Sequence, residues 1–156
     1  MKQLDTTVEE VLRNAIQSEV ETRLYYQRMA ERAASPAVKT RMLQLADAEL
    51  VHRAKLERKY RETIGRNPPE PQPAKVDLPS DLYNLDMQQA LKHALERERE
   101  SESNFRFMAE RVPNTELGRL FMELAEIEWK HKTDLQAEYD NVVAREDPDQ
   151  FLNDLG

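Results

Sequence analysis

The chain has 156 residues, a formal net charge of −7, three glycines and no cysteine. The length is sufficient for one domain with a sizeable core. Without cysteine, the sequence cannot form disulfides or a cysteine-ligated iron–sulfur centre, and its acidic balance without a basic block argues against nucleic-acid partners. It contains neither an apolar run of membrane-spanning length nor the apolar core of a signal peptide. We therefore expect a soluble, cytoplasmic protein.

Two long helices are predicted in the first half of the chain. The first, over about residues 6–34, starts at two threonines, each followed three residues later by glutamate as in a capping box. The second, over about residues 36–64, has Ser35 as its predicted N-cap, Pro36 at its first position and Gly65 at its C-terminal end. The very short connection predicts an antiparallel helix hairpin.

A proline-rich connection and a second hairpin follow. Five of the eight prolines lie in residues 66–82, so residues 66–85 are predicted to be extended. The third helix is predicted from about Asp86 to just before Pro113, and the fourth over about residues 114–144. A last short turn is predicted within the C-terminal tail, residues 146–156.

The connection lengths predict the topology. Helices of about 28 residues are about 42 Å long at 1.5 Å per residue. About 17 extended residues, at roughly 3.1 Å each, can cross that distance. The sequence therefore predicts an all-α, antiparallel four-helix bundle over residues 1–145, with hairpins at 6–65 and 86–144 and one long crossover between the second and third helices.

The two hairpins are related by an internal repeat. When the chain is shifted by 79 residues, residues 15–60 align with residues 94–139 without a gap, and 13 of the 46 positions are identical. The repeated residues include a Glu-x-x-His motif and an upstream glutamate in each half. This pattern indicates duplicated hairpins related by a pseudo-twofold axis.

The repeated charged residues fall on the apolar faces of the predicted helices, near mid-length. They are Glu19, Glu49, His52, Glu98, Glu128 and His131. Burying four carboxylates together without compensation costs on the order of several kcal/mol per ion. Two divalent cations would balance four carboxylates and two neutral imidazoles. One glutamate from each of two helices, with Glu-x-x-His from each of the other two, is the ligand pattern of carboxylate-bridged dinuclear bundles. Such ligands suit iron or manganese, and zinc on grounds of affinity.

At these residues the sequence resembles the ferritin-like superfamily and, within it, the rubrerythrin/erythrin group. The resemblance covers about residues 6–144 and rests on the segments AIQSE, AELVH, ALERE and IEWKH. It implies a non-haem di-iron centre that reacts with peroxide or dioxygen.

The resemblance also implies a role for each ligand. Glu49 and Glu128 would bridge the two irons, the upstream glutamates Glu19 and Glu98 would be terminal ligands, and each histidine would hold one iron. Tyr26, on the same stripe as Glu19, matches a tyrosine often found beside such centres, and core packing is the alternative. Phe105 occupies the duplicated position.

Two features depart from the family pattern. Rubrerythrins carry a rubredoxin domain, which this sequence lacks, so electrons would come from a separate donor. They also carry an extra carboxylate three residues after the third-helix glutamate. Here that residue is Ser101. Glu102, one residue later, is expected at the surface, and substitution for the missing carboxylate is the alternative.

The leading functional hypothesis is a di-iron oxidoreductase whose ferrous form reduces H₂O₂ or O₂, in peroxide removal or Fe²⁺ oxidation. The alternatives are iron storage or delivery in a larger assembly, a bundle in which metal only staples the helices, and a substrate oxygenase. The crossover permits hairpin swapping, so a homodimer is expected.

Overall fold

A computed structural model describes residues 2–146, with side chains from residue 8 onward. Four helices follow one another along the chain: α1 (Lys2–Glu31), α2 (Pro36–Ile64), α3 (Met87–Arg111) and α4 (Glu116–Glu146). The predicted all-α four-helix bundle is confirmed. The turn predicted in the C-terminal tail lies outside the described residues.

The ends of α2 and α3 follow local side-chain chemistry. The Ser35 hydroxyl accepts a hydrogen bond from the Val38 amide, and Gly65 ends α2 in the left-handed region at φ 86°. Asp86 and Gln89 form a reciprocal capping box at the start of α3. Each pairing satisfies backbone groups that a helix terminus leaves free.

Both predicted ends of the first helix were wrong. The helix begins at Lys2, so Thr6 and Thr7 lie inside it and are not its caps. No proline or glycine precedes them to stop the helix. The helix ends at Glu31 rather than near Ala34, because the Ala34 amide donates to the Leu85 carbonyl at 2.8 Å. That long-range contact diverts the backbone from the helix.

The core is divided into two clusters at opposite ends of the bundle. The first cluster includes Leu12, Tyr60, Phe105 and Phe121. The second cluster includes Tyr26, Met42, Leu91 and Leu135. Along the chain, α1 and α4 run from the first cluster toward the second, whereas α2 and α3 run the opposite way. The crossover therefore passes from one end of the bundle to the other.

Hydrogen bonds attach the crossover to α1 and to Arg32, the residue after α1. Gln17 exchanges two hydrogen bonds with the Gln72 backbone, at 3.0 and 2.9 Å. Farther along, the Arg32 guanidinium donates to the carbonyls of Pro79 and Leu82 at 2.7 and 2.6 Å. No helix within residues 2–146 is long and apolar enough to cross a membrane.

Candidate metal centre

The six predicted ligands meet between the two core clusters, each on the inward face of its helix. Five of them are almost fully buried, with exposed fractions of 3% or less, namely Glu19, Glu49, His52, Glu98 and Glu128. His131 is half-buried. The i, i+3 spacing of each Glu-x-x-His motif places both side chains on one face of the helix.

The candidate ligand atoms form three overlapping groups, and the atoms of each group lie within 4.8 Å of one another. One group joins Glu19, Glu49 and His52, all from the first hairpin. A second joins Glu49 with Glu98 and Glu128, and a third joins Glu128 with both histidines. Glu49 and Glu128 each belong to two groups and thus link the hairpins. His131 and Glu98 share no group among these three.

The imidazole of His52 faces three carboxylates. Its Nδ1 lies 3.0 Å from Glu128 Oε1 and 3.5 Å from both Glu19 Oε2 and Glu49 Oε2. Despite these short distances, Nδ1 has no partner that meets hydrogen-bond geometry. The His131 ring lies nearly parallel to that of His52, with ring centroids 5.9 Å apart.

Burial and mutual repulsion distribute protons unevenly over these groups. Burial and the neighbouring Glu49 carboxylate raise the pKa of Glu19 well above its usual range. Burial alone would lower the pKa of His52, but the three surrounding carboxylates outweigh it and raise that pKa to about 12. Burial and the charge of His52 lower the pKa of His131. A metal ion entering here must displace protons from its ligands.

Tyr26 contacts one of the candidate ligands directly. Its side chain is fully buried, and its hydroxyl donates a 2.9 Å hydrogen bond to Glu98 Oε1. The residue therefore both packs in the second core cluster and orients a carboxylate. In the other half of the repeat, Phe105 carries no hydroxyl and stacks with Phe121 instead.

Glu102 is not at the surface, contrary to the sequence-based expectation. It is 9% exposed and accepts hydrogen bonds from Lys132 Nζ at 2.6 Å and Arg106 Nε at 3.0 Å. Two cations from α3 and α4 offset the cost of burying its charge. Glu102 belongs to none of the three ligand groups.

The unsatisfied atoms of the cluster suit metal ions. Most of the buried side-chain atoms without a hydrogen-bond partner belong to it: Glu19 Oε2, both Oε atoms of Glu49 and of Glu128, Glu98 Oε2, and Nδ1 of each histidine. Buried polar atoms are rarely left unpaired. Carboxylate oxygens and neutral imidazole nitrogens are good ligands for divalent iron, manganese or zinc. The residues present therefore fit a metal centre.

A family model described as rubrerythrin matches residues 10–139. The chain belongs to the rubrerythrin family. Fifteen solved chains are similar to this rubrerythrin-family protein, among them a hypothetical protein from Pyrococcus furiosus. That protein is 28% identical, with a TM-score of 0.62, and the match covers 88% of this chain and 91% of the other. No curated protein matches the chain.

Sequence reasoning missed two arginines beside the centre of this rubrerythrin-family protein. Arg23 and Arg53 line a pocket together with Glu19 and Glu49. Each arginine follows its glutamate by four residues, which puts the two side chains on the same helix face. That spacing could have identified them, although it cannot show that the two helices bring them into one pocket.

Proposed function

We propose that this rubrerythrin-family protein is a di-iron oxidoreductase whose ferrous form reduces H₂O₂ or O₂. The observation that carries the proposal is the convergence of two Glu-x-x-His pairs and two further glutamates in the middle of the bundle. Eight of their buried side-chain atoms have no hydrogen-bond partner, and two divalent ions would balance four carboxylates.

Membership of overlapping groups suggests the ligand roles. Among the four glutamates, Glu49 and Glu128 each take part in two groups, as His52 also does, and this supports their assignment as bridging carboxylates. Glu19 is grouped with Glu49 and His52, which supports a terminal role on one metal. Glu98 and His131 are assigned to the second metal by the internal repeat.

Bound as a ferrous pair, iron would supply two electrons, which with two protons convert one H₂O₂ into two water molecules. The protein residues provide the setting. The apolar clusters cover the centre toward both ends of the bundle and limit the access of water from those directions. Tyr26 fixes Glu98 through Oε1 and leaves Oε2 without a hydrogen-bond partner and available for ligation. His131, half-buried and with a lowered pKa, is disposed to be neutral near pH 7 and able to ligate.

The proposal is tested by loading the protein anaerobically with two Fe²⁺ per chain and mixing it with H₂O₂ or with O₂ in a stopped-flow instrument. We expect the bound Fe²⁺ to be oxidised on the timescale of the stopped-flow measurement. Faster oxidation by H₂O₂ than by O₂ would support peroxide reduction. Faster oxidation by O₂ that continues with added Fe²⁺ would favour iron oxidation and handling.

Matched histidine variants assign the reaction to this centre. His131→Gln should lose one iron per chain and most of the fast phase, whereas His93→Gln, on α3 outside the ligand groups, should behave as wild type. Failure to bind two irons, or absence of reaction with either oxidant, would contradict the proposal and favour a bundle in which metal is only structural.

A further inference from the structure

A pocket of about 160 Å³ opens in the groove between α1 and α2 and reaches the candidate metal centre. Two candidate ligands, Glu19 and Glu49, form part of its wall. Arg23 and Arg53 lie beside them, and Ala74 of the crossover contributes to the rim. The pocket thus combines two carboxylates of the centre with two guanidinium groups.

The corresponding residues of the other hairpin form an ion pair. Under the 79-residue repeat, Arg23 corresponds to Glu102 and Arg53 corresponds to Lys132. Glu102 and Lys132 form an ion pair at 2.6 Å, which Arg106 strengthens at 2.9 Å. Two arginines cannot form such a pair, since like charges repel. In the first hairpin Arg23 stands in place of Glu102, the ion pair is absent, and a pocket is open between α1 and α2.

Arg23 and Arg53 have N–H donors that the described contacts do not use. The buried Nε of Arg23 has no partner within the part of the chain whose side chains the structure describes. Arg53 contacts Glu57 through Nε at 3.4 Å on the outer side of α2. A guanidinium carries five N–H donors in a planar fork that matches the oxygens of an oxyanion. A buried, unpaired donor of this kind indicates a missing acceptor.

We propose that the α1–α2 pocket is a binding site for a small oxyanion, held by Arg23 and Arg53 beside the metal centre. The inference rests on the proposed function, because metal ions bound to Glu19 and Glu49 would offset the carboxylate charge and leave the two arginines without a compensating anion. Anion and metal binding are therefore coupled, and the coupling is reciprocal: each ligand raises the affinity for the other by the same factor.

Nitrate is a suitable probe, because it is a small planar oxyanion and a weak metal ligand. The protein loaded with Zn²⁺, which is diamagnetic, would be titrated with nitrate at constant ionic strength, and the arginine Nε–H signals followed by NMR. Arg23→Gln and Arg53→Gln identify the two signals. We expect nitrate to shift both, and to bind at least about tenfold more weakly to the metal-free protein.

Each single variant should weaken nitrate binding about tenfold, since one charge-assisted hydrogen bond accounts for about that factor. The matched control is the double variant Arg28→Gln/Arg58→Gln. It removes charge from the same two helices at exposed positions, where both arginines pair with glutamates of their own helix. We expect its nitrate affinity to stay within about twofold of wild type.

The outcomes separate the two proposals. Two bound Zn²⁺ per chain without a nitrate-dependent shift of either signal overturn the anion site and leave the metal centre standing. Equal nitrate affinity in Arg23→Gln, Arg53→Gln and wild type overturns the assignment to these arginines. Failure to bind two Zn²⁺ overturns the metal centre, and with it the anion site, because carboxylate charge would then offset the charge of the two arginines.

Discussion

Among single residues, two buried side chains that are not candidate ligands make contacts next to the centre. Tyr26 is the clearest case, since its hydroxyl is fully buried and contacts Glu98. Glu102 is the second case, because it ties α3 to α4 next to the candidate ligand His131 through Lys132. Both contacts can be tested by changing a single functional group.

Replacing Tyr26 with phenylalanine keeps the ring and removes one hydrogen bond. We expect the metal-free protein to lose about 1–3 kcal/mol in free energy of unfolding, because Glu98 Oε1 would be left buried without a partner. Urea unfolding measures this loss. Tyr25→Phe is the matched control: Tyr25 is half-buried and its hydroxyl makes none of the described hydrogen bonds. An equal loss in both variants would show that the hydroxyl contact contributes nothing.

Glu102→Gln should change how stability depends on pH. Burial would raise the pKa of Glu102, but Lys132 and Arg106 lower it below its usual value of 4.5. A carboxylate whose pKa is lower in the folded state contributes stability above its unfolded pKa and loses it as pH falls through the folded pKa. We therefore expect the variant to be less stable than wild type by about 1 kcal/mol near pH 7, and the difference to vanish well below pH 4.5.

Thermal unfolding between pH 3 and pH 7 would follow this difference. Glu110→Gln is the control, because Glu110 is an exposed glutamate of the same helix and belongs to none of the described ion pairs. Its stability relative to wild type should change little over the range. A Glu102→Gln deficit that persists unchanged at pH 3 would contradict the ion-pair explanation.

At the scale of elements, the turn between α3 and α4 leaves no room for a side chain at Gly118. The Thr115 hydroxyl donates to the Val112 carbonyl at 2.6 Å and accepts from the Gly118 amide at 3.0 Å. A Cβ atom on Gly118 would lie 2.5 Å from that carbonyl oxygen. The close approach lies at the start of α4, in the turn that joins the two helices of the second hairpin.

Gly118→Ala should destabilise the protein, although alanine is the better helix former by about 1 kcal/mol. The backbone at Val112 must move to admit the methyl group, and such overpacking typically costs about 1–3 kcal/mol. The urea midpoint measures the net effect. Thr133→Ala, at an exposed position of α4, is the control and should change stability by less than about 0.5 kcal/mol. A Gly118→Ala variant as stable as wild type would contradict the steric argument.

At the scale of the whole molecule, a layer of charged groups separates two apolar clusters and joins two hairpins. Glu19, Glu49 and His52 come from the first hairpin, and their partners come from the second. A metal bound to both sets would hold the hairpins together. The homodimer, with or without hairpin swapping, stays a prediction, and light scattering during size-exclusion chromatography would test it.

Metal binding should raise the melting temperature. A ligand that binds only the folded state at 100 times its Kd adds about 2.7 kcal/mol, which is roughly 5–10 °C for a chain of this size. Differential scanning calorimetry with Mn²⁺ or Zn²⁺, and then with a chelator, measures the shift. His52→Gln should lose most of it and His93→Gln should keep it. A shift that survives in His52→Gln would place the bound metal elsewhere.

The helical architecture and the candidate ligand set could be predicted from the sequence, because helix periodicity and the internal repeat are both visible along the chain. Ser35, Gly65 and Asp86 act on neighbouring backbone groups, so their capping roles are visible in short segments. The ligands were identified because the repeat places glutamate and histidine at matching core positions of two hairpins. Such signals need no knowledge of how the helices pack.

Contacts between residues distant in sequence could not be predicted in this way, because they depend on how the helices pack. The end of α1 depends on Leu85, the Tyr26 hydroxyl finds Glu98, and the burial of Glu102 depends on Lys132. Hydrogen bonds and ion pairs of this kind are set by distances and angles across helix interfaces, which periodicity along one chain segment does not contain. The pocket beside Arg23 and Arg53, and the ion pair between the corresponding residues Glu102 and Lys132, depend on helix packing in the same way.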